Sequence, residues 1–96
     1  MGLFVAKHQH DAETCPAKDP QMGLMLLQHI AKANAAQYGV NIHGEAVIRG
    51  EHTLYLVVDA DDSEHVEKFM APFAMAGAVV VLEADPCEAV VERAGC

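Results

Sequence analysis

The chain has 96 residues, enough for one compact domain over 1–96 and too few for two. Apolar residues make up 52% of it, so a hydrophobic core can form. The formal net charge of −8 argues against nucleic acid or an anionic membrane as a partner, because both require a basic patch. No apolar run is long enough to span a bilayer.

The chain contains three cysteines, Cys15, Cys87 and Cys96, and no pair of them has the spacing of a zinc ribbon. Such cysteines are usually free thiols in a reducing compartment. We therefore expect a cytoplasmic protein without disulfides.

The first predicted element is a strand over 3–10. Its alternation places His8 and His10 on one face together with Phe4 and Ala6. Two histidines spaced by two residues on a strand can present a pair of metal ligands to the same side.

A loop over 11–19 leads into a predicted helix over 20–38, with Asp19 as a plausible N-cap and Gly39 as its stop. The predicted core stripe of this helix consists of Met22, Leu26, Ile30 and Ala33. Three more large apolar residues fall toward its polar side, namely Leu24, Met25 and Leu27. This excess predicts a second buried surface, most simply a subunit interface.

The rest of the chain contains three predicted strands and two helices. The strands cover 40–49, 52–59 and 78–83. Between the last two strands, a helix follows the capping residues 61–63, and its core stripe consists of Val66, Phe69, Met70 and Phe73. A short last helix opens at Asp85-Pro86. The order β-α-β-β-α-β plus a terminal helix predicts an α+β, ferredoxin-like fold.

This topology predicts a metal site at one end of the sheet. Its first and third strands are antiparallel neighbours, so the end of the first, with His8 and His10, lies beside His52 at the start of the third. Cys15 is within loop reach of the same point. The predicted ligands are His8, His10, Cys15 and His52, a set that suits a divalent transition metal such as Zn, Ni, Fe or Cu. Glu13 or Glu51 is the nearest carboxylate that could support them.

Three other interpretations remain open, and one of them is a pure interaction module, suggested by the excess apolar surface of the first predicted helix. In the second, the strand-end histidines are partly exposed and Cys15 is a small buried thiol. In the third, the protein is a small-molecule enzyme with His52 or His8 as general base. The enzyme interpretation predicts a cavity lined by Phe4, Leu54, Leu56 and Phe73. The sequence does not decide whether the protein is an enzyme.

Three short phrases carry a resemblance to a known class of proteins. They are 5–10 (Val-Ala-Lys-His-Gln-His), Cys15-Pro16 and 51–55 (Glu-His-Thr-Leu-Tyr). With the element order, they resemble small bacterial dimeric α+β-barrel proteins of the ferredoxin-like class. The resemblance implies a homodimer that pairs two sheets face to face, in a class that includes cofactor-independent monooxygenases, muconolactone-isomerase-like enzymes and small nickel-binding proteins. Cys15 departs from the all-histidine nickel sites, so the identity of the metal stays open.

Overall fold

Four antiparallel strands and four helices build the chain over residues 2–96, which are the residues that the computed structural model describes. Only the first residue of the predicted 1–96 domain lies outside them. The strands are β1 (Gly2–His10), β2 (Val40–Ile48), β3 (Thr53–Ala60) and β4 (Gly77–Ala84). The helices are α1 (Pro20–His29), α2 (Lys32–Gln37), α3 (Ser63–Ala74) and α4 (Cys87–Glu92). None of the helices in this described part is both long and apolar enough to cross a bilayer.

The four strands form one sheet in the order β2-β3-β1-β4. Each neighbouring pair is antiparallel, so the predicted antiparallel pairing of the first and third strands is confirmed. The register sets His8 opposite Leu54 and Gln9 opposite Thr53. The end of β1 therefore lies beside the start of β3, as the sequence predicts.

The hydrophobic core lies on one face of the sheet, against α3. Every second residue of β1 and β3 points into it, including Phe4, Ala6, Leu56 and Val58. The stripe predicted for the second long helix is confirmed, because all four of its residues are buried in α3: Val66, Phe69, Met70 and Phe73. This packing holds the helix across the central strands.

Gly77 at the start of β4 allows an unusually close approach to β1. A β-carbon at this position would overlap the carbonyl oxygen of Gln9 and crowd the backbone of His10. His10 and Gly77 are paired in the sheet. The absence of a side chain at Gly77 therefore lets the end of β1 stay in register.

The helix predicted over 20–38 is in fact two helices, and this part of the prediction is wrong. Ala31 has extended backbone angles (φ −60°, ψ 140°) and separates α1 from α2. The Asn34 side chain donates a hydrogen bond of 2.7 Å to the carbonyl of His29. Such a local bond satisfies a carbonyl at the end of α1 without continuing the helix.

The break changes which residues of this segment reach the core. Leu26 and Ile30 pack against it as predicted. Met22 is 44% exposed and Ala33 is exposed, so these two are not core residues. Ala35 of α2 is buried instead. After the break, the chain turns a new face toward β2.

Large apolar side chains also remain exposed on two surfaces. On α1 these are Leu24, Met25 and Leu27, which lie outside the core as predicted. On the sheet face opposite the core they include Val57, Val80 and Leu82. Both surfaces could bury further apolar area in an assembly.

Candidate metal centre

The end of β1 places two imidazoles side by side above the core. His8 is 2% exposed, and its ring stacks on that of His10 with a centroid distance of 5.3 Å and an interplanar angle of 28°. Within residues 2–96, none of the four ring nitrogens of this pair has a hydrogen-bond partner, although all four are buried. Because an unpaired buried polar group costs roughly 1–3 kcal/mol, the missing hydrogen bonds lower the stability of the folded protein.

His52 reaches the same place from the turn between β2 and β3. It adopts the left-handed region with φ +50°, which is uncommon for residues other than glycine. Its carbonyl accepts a hydrogen bond of 3.1 Å from the backbone N–H of His10. The two rings meet edge to face at a centroid distance of 5.3 Å. The turn is therefore bonded to the end of β1, and a backbone outlier of this kind often marks a functional position.

Cys15 is brought in by the loop between β1 and α1. Two 3-10 turns, Ala12–Thr14 and Pro16–Lys18, flank it, and it is half-buried. Its carbonyl accepts a hydrogen bond of 3.1 Å from the backbone N–H of Lys18. These short turns fold the loop back over the sheet end, so that the thiol faces the imidazoles.

Three of the four predicted ligands form a compact group of metal-binding side chains. One donor atom from each of His10, Cys15 and His52 lies within 4.8 Å of the other two. His8 does not belong to this group, although it stacks on His10. The ligand role of His8 stays a prediction. Glu13 and Glu51 are exposed, and neither belongs to the group.

Burial favours the neutral form of the two β1 imidazoles. It lowers the pKa of His8 below the ordinary value of 6.5, and the nearby His10 lowers it further. The Ala78 backbone, close to the ring but outside hydrogen-bonding geometry, opposes this shift. Burial, followed by the charge of His52, lowers the pKa of His10, while Asp11 opposes it. Neutral imidazole is the form that binds metal ions.

Two cavities lie against His8. The first, of about 260 Å³, contains the three-donor group in its wall together with Leu54 and Phe73. The second, of about 310 Å³, lies between α1 and α3 and is lined by Met22, Met25, His29 and Pro72, among others. Four residues line both cavities: His8, Pro16, Leu26 and Phe73.

The cavity predicted for an enzyme is only partly present. Leu54 and Phe73 line the 260 Å³ cavity. Phe4 and Leu56 line neither of the two cavities beside His8, and they are 4% and 0% exposed in the core. The prediction is wrong for these two residues because α3 covers the middle of the sheet, while the cavities open where α1 leaves the sheet end.

The sequence interpretation also missed the contribution of α1 to these cavities. Met22 and Met25 line the space beside His8, and His29 joins them. In the sequence, the excess of apolar residues on this helix is the signal for its contribution, but this excess predicts only a buried surface and not a cavity.

No family model matches the chain, and no curated protein or solved structure matches it either.

Proposed function

We propose that the protein binds a divalent transition metal through His10, Cys15 and His52. The observation that carries this proposal is the compact placement of two imidazoles and one thiol, with donor atoms within 4.8 Å of one another. Bonds of roughly 2.0–2.3 Å to a tetrahedral Zn²⁺ require donors somewhat closer than this. Small side-chain movements would bring the three donor atoms to bonding distance from one metal ion.

The chemistry of the donors selects a class of metal. A thiolate and two neutral imidazoles suit Zn, Ni, Fe or Cu, whereas Mg²⁺ and Ca²⁺ prefer oxygen ligands. Three protein ligands leave a coordination position for water or another molecule, and a fourth ligand would close the site. His8, which stacks on His10, is the predicted candidate for that fourth position. A closed site would serve storage or sensing, and an open one would permit catalysis or a redox step.

The surroundings of the group support metal binding in a second way. The ring nitrogens of His10 are buried and, over residues 2–96, without a hydrogen-bond partner. A bound cation would give one of them a partner. The backbone bond between His10 and His52 already holds two of the three donors together, which reduces the cost of ordering them on binding.

We also propose that the fold is ferredoxin-like and that two copies pair through their sheets. The sheet order β2-β3-β1-β4 supports the fold assignment. The sheet face opposite the core carries exposed apolar residues, with Val80 45% and Leu82 52% exposed. A second copy would cover them. A cytoplasmic location is part of this proposal, because Cys15, Cys87 and Cys96 are free thiols.

The test is elemental analysis of protein purified without an affinity tag and then dialysed against Zn²⁺, Ni²⁺, Fe²⁺ or Cu²⁺ in separate samples. We expect about one equivalent of at least one of these metals per wild-type chain and a large loss in the His10→Ala variant. His43→Ala is the matched control, because His43 is exposed, bonded to Asp59 and distant from the group. Wild-type protein without metal, or His10→Ala with unchanged metal, would contradict the proposal.

A further inference from the structure

We propose that the cavity of about 260 Å³ beside the three-donor group binds a small organic carboxylate. One carboxylate oxygen binds the metal held by the group, and the other pairs with the guanidinium of Arg49. This carboxylate site rests on the proposed metal site, because the metal is one of its two partners. It adds the chemical class of the molecule that takes the remaining coordination position, and a residue that recognises this molecule.

The cavity gives an outside molecule access to the metal position. His10, Cys15 and His52 all lie in its wall, so a metal bound by their donor atoms lies at the edge of the cavity. Three protein ligands leave one position of a tetrahedral metal for a further ligand. Since His8 is outside the three-donor group, a molecule in the cavity can take that position.

The charge of this cavity favours an anion. A divalent metal bound by one thiolate and two neutral imidazoles keeps a single net positive charge. Arg49 adds a second positive charge, and no aspartate or glutamate of residues 2–96 lies in the cavity wall. Asp11, whose charge acts on His10, is exposed and outside this wall. The chain carries a net charge of −8, yet it presents only positive charge to this space.

Arg49 is available to a ligand and is held near the donor group. Of the two arginines in the chain, Arg93 pairs with Asp85 at 3.0 Å, whereas Arg49 takes part in no ion pair within residues 2–96. The backbone N–H of Glu51 donates a hydrogen bond of 3.1 Å to the carbonyl of Ile48, which closes a turn that contains Arg49. The same turn leads into His52. An arginine here can therefore pair with an anion on the metal.

The rest of the wall selects a carboxylate with an apolar body. It is largely apolar and includes Leu26, Val47, Ile48, Leu54 and Phe73. The two oxygens of a carboxylate each gain a partner, the metal and Arg49. Phosphate and sulfate carry further oxygens that would face this apolar wall without a partner, which is costly. A dry cavity of about 150 Å³ can hold benzene, so the larger volume here suits one ring with its carboxylate.

The experiment compares benzoate with benzamide, a neutral molecule of nearly the same shape. Protein loaded with the metal that elemental analysis finds on it (Zn²⁺, Ni²⁺, Fe²⁺ or Cu²⁺) is titrated with each compound, and calorimetry measures binding. We expect one benzoate per chain, and binding at least about tenfold weaker for benzamide and for benzoate with chelator-stripped protein.

The possible failures of this experiment are distinguishable. A metal-loaded protein that does not bind benzoate, as expected if His8 closes the site, would overturn the carboxylate site and leave the metal proposal standing. Equal affinity for benzoate and benzamide, or unchanged benzoate affinity after metal removal, would also overturn it. A wild-type protein that takes up none of the four metals would contradict both proposals.

One substitution tests the role of Arg49. Arg49→Gln should weaken benzoate binding about tenfold while metal content and benzamide affinity stay unchanged, because Arg49 is exposed and outside the donor group. Arg93→Gln is the matched control, since it removes the same charge outside the cavity. Equal benzoate affinity in the two glutamine variants would refute the assignment to Arg49.

Discussion

The histidines at the end of β1 and those elsewhere in the chain differ in hydrogen bonding. Away from that end, His29 donates to the Phe69 carbonyl at 2.7 Å, and His43 and His65 pair with Asp59 and Asp62. At that end, the ring nitrogens of His8 and His10 are buried and lack a partner within residues 2–96.

This difference separates histidines whose ring nitrogens are hydrogen-bonded within the fold from those whose ring nitrogens are unpaired within residues 2–96. The His29 ring stacks on that of Phe69 at a centroid distance of 4.5 Å, and its Nε2 is hydrogen-bonded to the Phe69 carbonyl. Packing and this hydrogen bond account for the side chain without a ligand. The His8 and His10 rings at the end of β1 are also packed, but among residues 2–96 their nitrogens have no hydrogen-bond partner. Unpaired ring nitrogens, rather than the number of histidines, therefore mark the candidate ligand residues of this fold.

The largest expected effect concerns the thiol. Cys15→Ser should weaken metal binding by at least about 100-fold, because a neutral hydroxyl is a much poorer ligand than a thiolate. Loss of a residue that only supports a ligand weakens metal binding by at most about 100-fold. Competition with a chromophoric chelator measures the affinity. Cys87→Ser is the control, because Cys87 is exposed and outside the group. Equal affinities in the two serine variants would remove Cys15 from the site.

The same substitution should have opposite effects in the two classes of histidine. His29→Phe should lower the free energy of unfolding by about 1 kcal/mol, since it removes the bond to Phe69. His8→Phe should raise it by about 1 kcal/mol in metal-free protein, since an unpaired imidazole is replaced by an apolar ring. Urea denaturation measures both. If His8→Phe proves as destabilising as His29→Phe, then His8 is not an unsatisfied group.

A smaller difference is expected at His52. His52→Gly should make metal-free protein more stable than His52→Ala by roughly 1 kcal/mol, because glycine adopts φ +50° without the steric cost of a β-carbon. Both variants lose the imidazole, so metal affinity should fall equally in the two. Thermal unfolding checks the first expectation, and a glycine variant that is less stable would show that the turn is unstrained.

The pH dependence of stability should follow from the unpaired imidazoles. The unfolded chain takes up protons at His8 and His10 near pH 6.5, whereas burial lowers the pKa of both in the folded protein. Between these values the unfolded state binds more protons, so the stability of metal-free protein falls as the pH drops below about 6.5. Below the folded pKa values the loss is complete and levels off.

Denaturation curves at a series of pH values test this expectation, and His8→Phe should show a shallower decline than wild type. A stability that rises as the pH falls from 7 to 5 would contradict the lowered pKa values.

Much of the site could be predicted because it depends on simple periodicities. The alternation in β1 places His8 and His10 on one face, and antiparallel pairing with β3 brings His52 to them. The short reach of the loop accounts for Cys15. These relations follow from chain geometry and need no knowledge of side-chain packing.

The remaining features depend on contacts that sequence patterns do not contain. The segment 20–38 divides into two helices where the Asn34 side-chain amide donates a hydrogen bond to the His29 carbonyl. This local bond competes with a continued helix, and helical periodicity in the sequence does not reveal it. The exclusion of His8 from the three-donor group depends on where one ring points within the same strand face. The cavities depend on how α1 and α3 diverge over the sheet end.

The close approach at Gly77 makes the donor group vulnerable to a change that touches none of its members. An alanine there would push against the Gln9 carbonyl and shift the strand segment that carries His10. A natural variant with this single methyl group would keep all of the histidines and cysteines and yet lose the close placement of the three donor atoms. Related chains should therefore be sorted by the residue opposite His10 in the sheet as well as by an inventory of their ligands.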